Sequence, residues 1–229
     1  MTDELEHEFD KYKPWVTQFN IQGRTYGGSY NAAGDPRLKW FQEQFPNAQN
    51  VLELGSLEGG HSFALASLVQ IKRVVAVEAR RDSLQRARFV QGVLKQSKVD
   101  FIQANLENFD LASLGSFDVV FCVGLLYHLP RPWQLVEQMS RVARGVYIWT
   151  HYARPQDAKV TRQHYRGWVY REWRFLFDAL SGMSVNSFWP MRECLFEMLA
   201  DYGYVDTTVV EENPQHEHGP AITLAARQK

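Results

Sequence analysis

The segment Val51-Leu52-Glu53-Leu54-Gly55-Ser56-Leu57-Glu58-Gly59-Gly60 sets two carboxylates in and beside a glycine turn. An apolar run leads into it and another, Phe63 to Val69, follows it. It reads as a buried strand, a tight turn and the start of a helix, which offers backbone N–H groups to a ligand. A dinucleotide fingerprint needs glycine at the first, third and sixth places of such a turn. Here those places hold Gly55, Leu57 and Gly60. Leu57 blocks the close approach that a pyrophosphate needs, and Glu53 and Glu58 oppose its charge, so a dehydrogenase reading fares worst. A ligand with a positively charged amino acid end and a ribose suits the turn better. Glu53, Gly55, Ser56 and Gly59 are the candidate contacts, because an acid in an apolar strand needs a partner. Glu78 ends the run Val74-Val75-Ala76-Val77, 23 residues after Gly55. In strand-turn-helix-strand nucleotide folds an acid about 20 residues on holds the ribose hydroxyls.

Two histidines follow apolar runs. Tyr127-His128 comes after Phe117 to Val123, and His151-Tyr152 ends the run near Trp149. A histidine titrates near neutrality and can take the proton of an attacking hydroxyl or amine. His128 and His151 are therefore the candidate bases, with Glu172 in reserve. Aromatic residues make up 14% of the chain, and Trp133, Trp149, Trp168, Trp173 and Trp189 all lie in its second half. An aromatic lining with a few charges describes a small-molecule pocket. Tyr26, Tyr127, Tyr152, Trp168 and Glu172 are its candidate substrate contacts. His216-Glu217-His218 is close-spaced but has no matching second pair, so no metal site is expected.

These residues need a scaffold, and the chain supplies one. Apolar strands at about 50–55, 74–78, 98–103, 117–123 and 145–150 alternate with helices at about 60–70, 82–96 and 132–143. That alternation implies a parallel sheet covered on both faces, with ligands beyond the carboxyl ends of its strands. Upstream, residues 1–34 show no long helical period. Phe19 to Tyr26 could form a hairpin around Gly23, and Tyr26 to Tyr30 is a flexible loop just before the core. Asp35-Pro36 starts a short helix to about residue 46. Residues 152–189 belong to no core element and read as an aromatic-rich, helical cap over the substrate side. Residues 190–202 read as a helix, and 204–211 and 221–226 as a terminal hairpin. The expected divisions are an extension (1–47), a cofactor-binding core (48–151), the cap (152–189) and a C-terminal helix and hairpin (190–229).

Glu-x-Gly-x-x-x-Gly at the end of a first strand resembles motif I of the class I S-adenosylmethionine-dependent methyltransferases. Val74 to Glu78 resembles the second strand of that family, Phe101 to Leu106 its third, and Phe117 to Leu129 its fourth with the catalytic loop. The resemblance is good over roughly 48–151 and looser elsewhere. It implies a Rossmann-like α/β fold with a seven-stranded, mostly parallel sheet and a terminal antiparallel strand. It implies S-adenosyl-L-methionine as cofactor and S-adenosyl-L-homocysteine as product. It also implies that Glu53 orders the amino acid end of the cofactor, that Asn105 and Leu106 lie beside its adenine, and that Cys122, Val123, Gly124 and Leu126 form the floor under its sulfonium. Many relatives carry aspartate where Asn105 stands. The chain lacks the Asn/Asp-Pro-Pro-Tyr segment that marks transfer to planar amino groups. Gly124-Leu125-Leu126-Tyr127-His128-Leu129 is similar instead to small-molecule methyltransferases and to enzymes that modify wobble uridine in tRNA.

The expected activity is therefore methyl transfer to oxygen or nitrogen of a small molecule. Two alternatives are a tRNA-modifying methyl- or carboxymethyltransferase, using arginines of residues 154–174, and a non-catalytic partner protein that retains the cofactor. A net charge of −1 gives no general pull toward nucleic acid or anionic membranes. No run of about 18 apolar residues occurs, so no membrane span is expected. The acidic start and the two distant cysteines make the cytosol the default location.

Overall fold

The computed structural model describes residues 2–173 and 178–229. In chain order the elements are α1 (Thr2–Asp10), β1 (Gln18–Ile21), β2 (Arg24–Gly27), α2 (Pro36–Gln44), β3 (Asn50–Leu54), α3 (Gly60–Ser67), β4 (Arg73–Glu78), α4 (Arg81–Leu94) and β5 (Val99–Gln103). They continue with β6 (Phe117–Val123), α5 (Pro132–Val142), β7 (Ala143–His151), β8 (Val160–Arg162), β9 (Tyr165–Arg171), β10 (Asn186–Pro190), α6 (Arg192–Asp201), β11 (Tyr204–Asn213) and β12 (Ala221–Gln228).

Seven strands form one sheet in the order β11-β12-β7-β6-β3-β4-β5. β7, β6, β3, β4 and β5 run parallel, while β12 is antiparallel to both β7 and β11. Parallel strands buried on both faces must be apolar almost throughout, and from Val74 onward every residue of β4 is buried. Alternate side chains serve two cores. Leu52, Leu54, Val75 and Val120 pack on Val136, Met139, Leu195 and Met198 of α5 and α6. Val51, Val74 and Ala76 pack with Phe41, Leu65 and Val90 of α2, α3 and α4. The strand order reverses at β3, which lies between β6 and β4. The cleft at that switch point is where such sheets bind ligands.

Two expectations need correction. Residues 2–10 form a helix despite their weak periodicity, because Phe9 packs against Trp15, Tyr26 and Phe89 and anchors it. The cap is not helical among its described residues. β8, β9 and β10 form a three-stranded antiparallel sheet. Tyr165 to Arg171 is rich in aromatic residues, which suit a pleated surface. Gly167 lets β10 lie close, since a Cβ there would stand 2.3 Å from the Trp189 carbonyl oxygen. The part of the cap at 174–177 lies outside the described residues.

Candidate functional site

The carboxyl ends of β3 to β7 open into one cavity of about 1130 Å³. A pocket for one drug-sized ligand is roughly 300–1,000 Å³, so this cavity lies just above that range.

The first wall is the turn after β3. Gly55 and Leu57 have positive φ angles of 78° and 49°, and with Ser56 they line the cavity. The amides of Gly55 and Ser56 donate to the Val77 carbonyl at 2.9 and 3.1 Å, which fixes the turn on β4. The buried Ser56 hydroxyl has no partner among the described residues, so a ligand polar atom is its natural complement. Glu78 lies opposite. Its Oε2 accepts from the Leu57 amide at 2.8 Å and its Oε1 from the Arg80 amide at 2.7 Å. Burial raises its pKa, against the pull of these bonds, and each oxygen keeps acceptor capacity. Asn105 and Leu106 line the end of β5. Asn105 Oδ1 accepts from the Glu107 amide at 3.0 Å, a turn that tethers this wall. Val123 and Gly124 line the end of β6, and a Cβ at Gly124 would meet nothing within 4 Å. An orphaned hydroxyl, a half-occupied carboxylate and an open floor fit S-adenosylmethionine.

Some expected contacts stand behind this wall. Glu53 and Gly59 do not line the cavity. The Glu53 carboxyl accepts from the Ser62 hydroxyl, and burial pushes its pKa up to about 7. Gly59 starts α3 in the left-handed region, at φ 82°, where a Cβ would stand 2.9 Å from the Phe63 and Phe101 rings. Cys122 and Leu126 are buried beneath the floor, and Leu125 lines it instead. Glu58 ties down the N-terminal segment, accepting from the Val16 amide at 3.0 Å and the Thr17 amide at 2.6 Å.

The second wall carries the histidines. Residues 126–128 form a single tight turn after β6. His128 Nδ1 lies 2.9 Å from Glu172 Oε1. A carboxylate at that distance favours the tautomer with the proton on Nδ1, which in the neutral ring leaves Nε2 its lone pair. Glu172, only 4% exposed, also accepts from the Gly182 amide at 3.3 Å. His151 Nδ1 faces the Gly219 and Pro220 carbonyls at 3.0 and 3.1 Å, so it too is the protonated nitrogen. Burial lowers the His151 pKa to about 4, assisted by nearby His216. Its ring stacks on Trp189 at 4.9 Å and meets Tyr127 edge-on at 4.6 Å. Burial raises the Tyr127 hydroxyl pKa. Tyr127, Trp149, Tyr170, Trp173 and Trp189 supply aromatic lining.

Three expected substrate contacts lie elsewhere. Tyr26 stacks on Phe9 at 4.9 Å in the N-terminal aromatic cluster. Tyr152 is buried with its hydroxyl on Glu212 Oε1 at 2.8 Å. Trp168 packs edge-on behind Tyr170 and Trp189. Tyr26 and Trp168 are held by aromatic neighbours and Tyr152 by a carboxylate, away from the cavity.

The third wall was not anticipated. Asp35, expected only as a helix cap, receives the Arg37 amide and Nε at 2.9 Å, the Tyr30 hydroxyl at 2.5 Å and His61 Nε2 at 2.9 Å. Burial would raise its carboxyl pKa, but the hydrogen bonds from His61 and Arg37, with the Arg37 charge, hold it well below the usual range. Tyr30, Arg37 and His61 line the cavity, and the Arg37 guanidinium lies 4.8 Å over the Trp149 ring. A histidine directly after the Gly59-Gly60 turn was the sequence signal for this wall.

A parallel sheet with this switch point and a cavity at the carboxyl ends of its strands is the fold of the class I S-adenosylmethionine-dependent methyltransferases. A family described as a methyltransferase domain matches residues 46–174, more than half of the chain, and the protein belongs to it. Among solved structures, the N-terminal domain of EvdMO1, crystallised in the presence of SAH and D-fucose, is 35% identical with a TM-score of 0.90, covering 100% of this chain and 97% of that one. The longer EvdMO1 is 31% identical with a TM-score of 0.78, covering 99% of this chain but 47% of that one. The ubiquinone biosynthesis O-methyltransferase of Bordetella pertussis is 29% identical over 110 residues, 47% of this chain and 44% of that protein. The chain thus matches less than half the length of its curated relatives. Among the described residues no helix is long and apolar enough to cross a membrane.

Proposed function

We propose that the protein transfers a methyl group to a hydroxyl of a small polyhydroxylated acceptor of the deoxysugar class. The observation that carries this is the His128–Glu172 pair, its carboxylate buried, on the wall of the cavity. Aromatic walls interleaved with Arg37, Tyr30 and His61 suit a ring that is apolar on its faces and polar at its edges. The D-fucose present with the EvdMO1 domain and the O-methyl transfer named for the Bordetella protein support the same class.

When bound, the cofactor supplies a methyl group already activated on a sulfonium. We assign Glu78 to the ribose hydroxyls, Gly55 and Ser56 to the amino acid end, Asn105 and Leu106 to the adenine side and Val123 and Gly124 to the floor. His128 Nε2 takes the proton of the acceptor hydroxyl, and Glu172 holds the ring and stabilises the imidazolium. His151 stays neutral at physiological pH and serves as an acceptor for a substrate hydroxyl. Tyr127, Trp149 and Trp189 orient the acceptor and exclude water, which is most of what an in-line displacement needs.

The test is incubation with S-adenosylmethionine and D-fucose, with a catechol as the contrasting phenolic acceptor, reading SAH and methylated product by mass spectrometry. Methylated sugar without methylated phenol is expected. Tight SAH binding with no transfer to D-fucose or related sugars would sink the reading.

A further inference from the structure

Arg80 stands between the two halves of the cavity. Its amide holds Glu78 Oε1 at 2.7 Å. Its guanidinium Nη2 donates to the carbonyls of Ser181 and Gly182, at 3.0 and 3.1 Å. The Gly182 amide in turn donates to Glu172 Oε2, and the other oxygen of Glu172 holds His128. The Gly182 peptide is therefore gripped by Arg80 from the cofactor side and by Glu172 from the acceptor side. It also lies directly on the catalytic turn. A Cβ at Gly182 would stand 2.6 Å from the His128 carbonyl oxygen and 3.2 Å from its Cβ, so only glycine allows this approach. A second tether stands nearby, where the Ser184 hydroxyl donates to Glu107 at 2.8 Å, two residues beyond Asn105.

We propose that Arg80 is a positioning residue: through the Gly182 peptide it sets Glu172, and hence His128, and couples their placement to occupancy of the ribose site at Glu78. This rests on the reading of His128 as the base. A carboxylate held by one amide at 3.3 Å depends on where that amide sits, and the amide belongs to a segment with few buried anchors. Leu180 is 56% exposed and Met183 39%. Ordering the Glu78–Arg80 turn then orders residues 178–184, and coupling of this kind is reciprocal between sites.

The experiment is amide hydrogen exchange of peptides covering residues 178–184, with and without SAH, beside calorimetric SAH affinity. In the unaltered protein, SAH should slow exchange in this segment about tenfold, within the usual range of coupling between sites. Arg80→Ala should remove most of that slowing and, by the same reciprocity, weaken SAH binding by no more than about tenfold, because the Arg80 amide that holds Glu78 remains. Arg80→Lys should restore part of it, since an ammonium still reaches a carbonyl. Gly182→Ala should lose the slowing even with Arg80 present. Undiminished slowing in Arg80→Ala overturns the proposal, and Arg80→Met, which keeps the aliphatic stem, reads the same quantity if the alanine variant folds poorly. With an acceptor substrate in hand, Arg80→Ala should lower kcat about a hundredfold, the cost of a small misplacement, while KM for S-adenosylmethionine rises by no more than about tenfold. A His128→Ala enzyme that still turns over would overturn the base assignment and leave the exchange result standing. Lost exchange coupling with an inactive His128→Ala would do the reverse.

Discussion

At the scale of single residues, the cavity separates two histidines that resemble each other in sequence. Both have Nδ1 committed, but to different partners. A carboxylate behind His128 stabilises the ring when it takes a proton, whereas two carbonyls and a stacked indole around His151 do so much less. His128→Ala should therefore lower turnover by far more than it lowers SAH affinity. Equal losses in both would move His128 into cofactor positioning. Glu78→Ala should weaken SAH binding by about 1–3 kcal/mol, the scale of a charged hydrogen bond lost from a buried site. Unchanged calorimetric affinity would mean that the ribose is held elsewhere. That both residues line the cavity was legible because each follows an apolar run. Tyr26, Tyr152 and Trp168 do not line the cavity; a sequence does not say which aromatic faces a cavity and which faces its neighbours. Asp35 was read only as a cap because its cap bond is local, while its bond to His61 spans 26 residues.

At the scale of elements, the turn between β3 and α3 shows why Gly59 matters without lining the cavity. Its positive φ and the two phenylalanine rings beside it leave no room for a methyl group. Gly59→Ala should cost roughly 1–3 kcal/mol through backbone strain and overpacking, read as a lower urea midpoint with an unchanged slope. A midpoint equal to the original would show that the turn relaxes freely. The core strands were readable because a parallel strand buried on both faces writes an uninterrupted apolar run. The cap was not, because its strands are short and half-exposed, and their pairing joins β8 and β9 to β10 across an intervening segment. α1 was missed for a related reason: nine residues hold a helix here only through the tertiary contacts of Phe9.

At the scale of the whole molecule, two buried groups bend the stability profile in opposite directions. The His151 pKa falls to about 4 from an ordinary 6.5. The unfolded chain therefore binds a proton near 6.5 that the folded one refuses, and stability is lost as pH falls from 6.5 toward 4. The Glu53 pKa rises to about 7 from 4.5. Here the folded state keeps a proton that the unfolded chain releases, so stability is present below 4.5 and lost as pH rises through 7. Each is worth about 3 kcal/mol at full extent, and the two slopes oppose one another over their shared window. Glu53→Gln removes one of them. Urea midpoints measured from pH 4.5 to 7.5 should show the variant gaining on the original protein as pH rises. A constant difference across that range would mean that Glu53 ionises normally in the fold.

The cavity wall also equips the molecule with its own optical reporter. Trp149, Trp173 and Trp189 line it, out of seven tryptophans in the chain. The Arg37 cation lies over the first, the His151 imidazole stacks on the third, and Trp173 is 75% exposed with the Arg171 cation 3.9 Å above its ring. Indole emission depends on solvent contact and on nearby charges that quench it, so a molecule entering the cavity changes both at once. Titrating unlabelled protein with candidate acceptors and following its ultraviolet fluorescence would rank them by affinity before any product is sought.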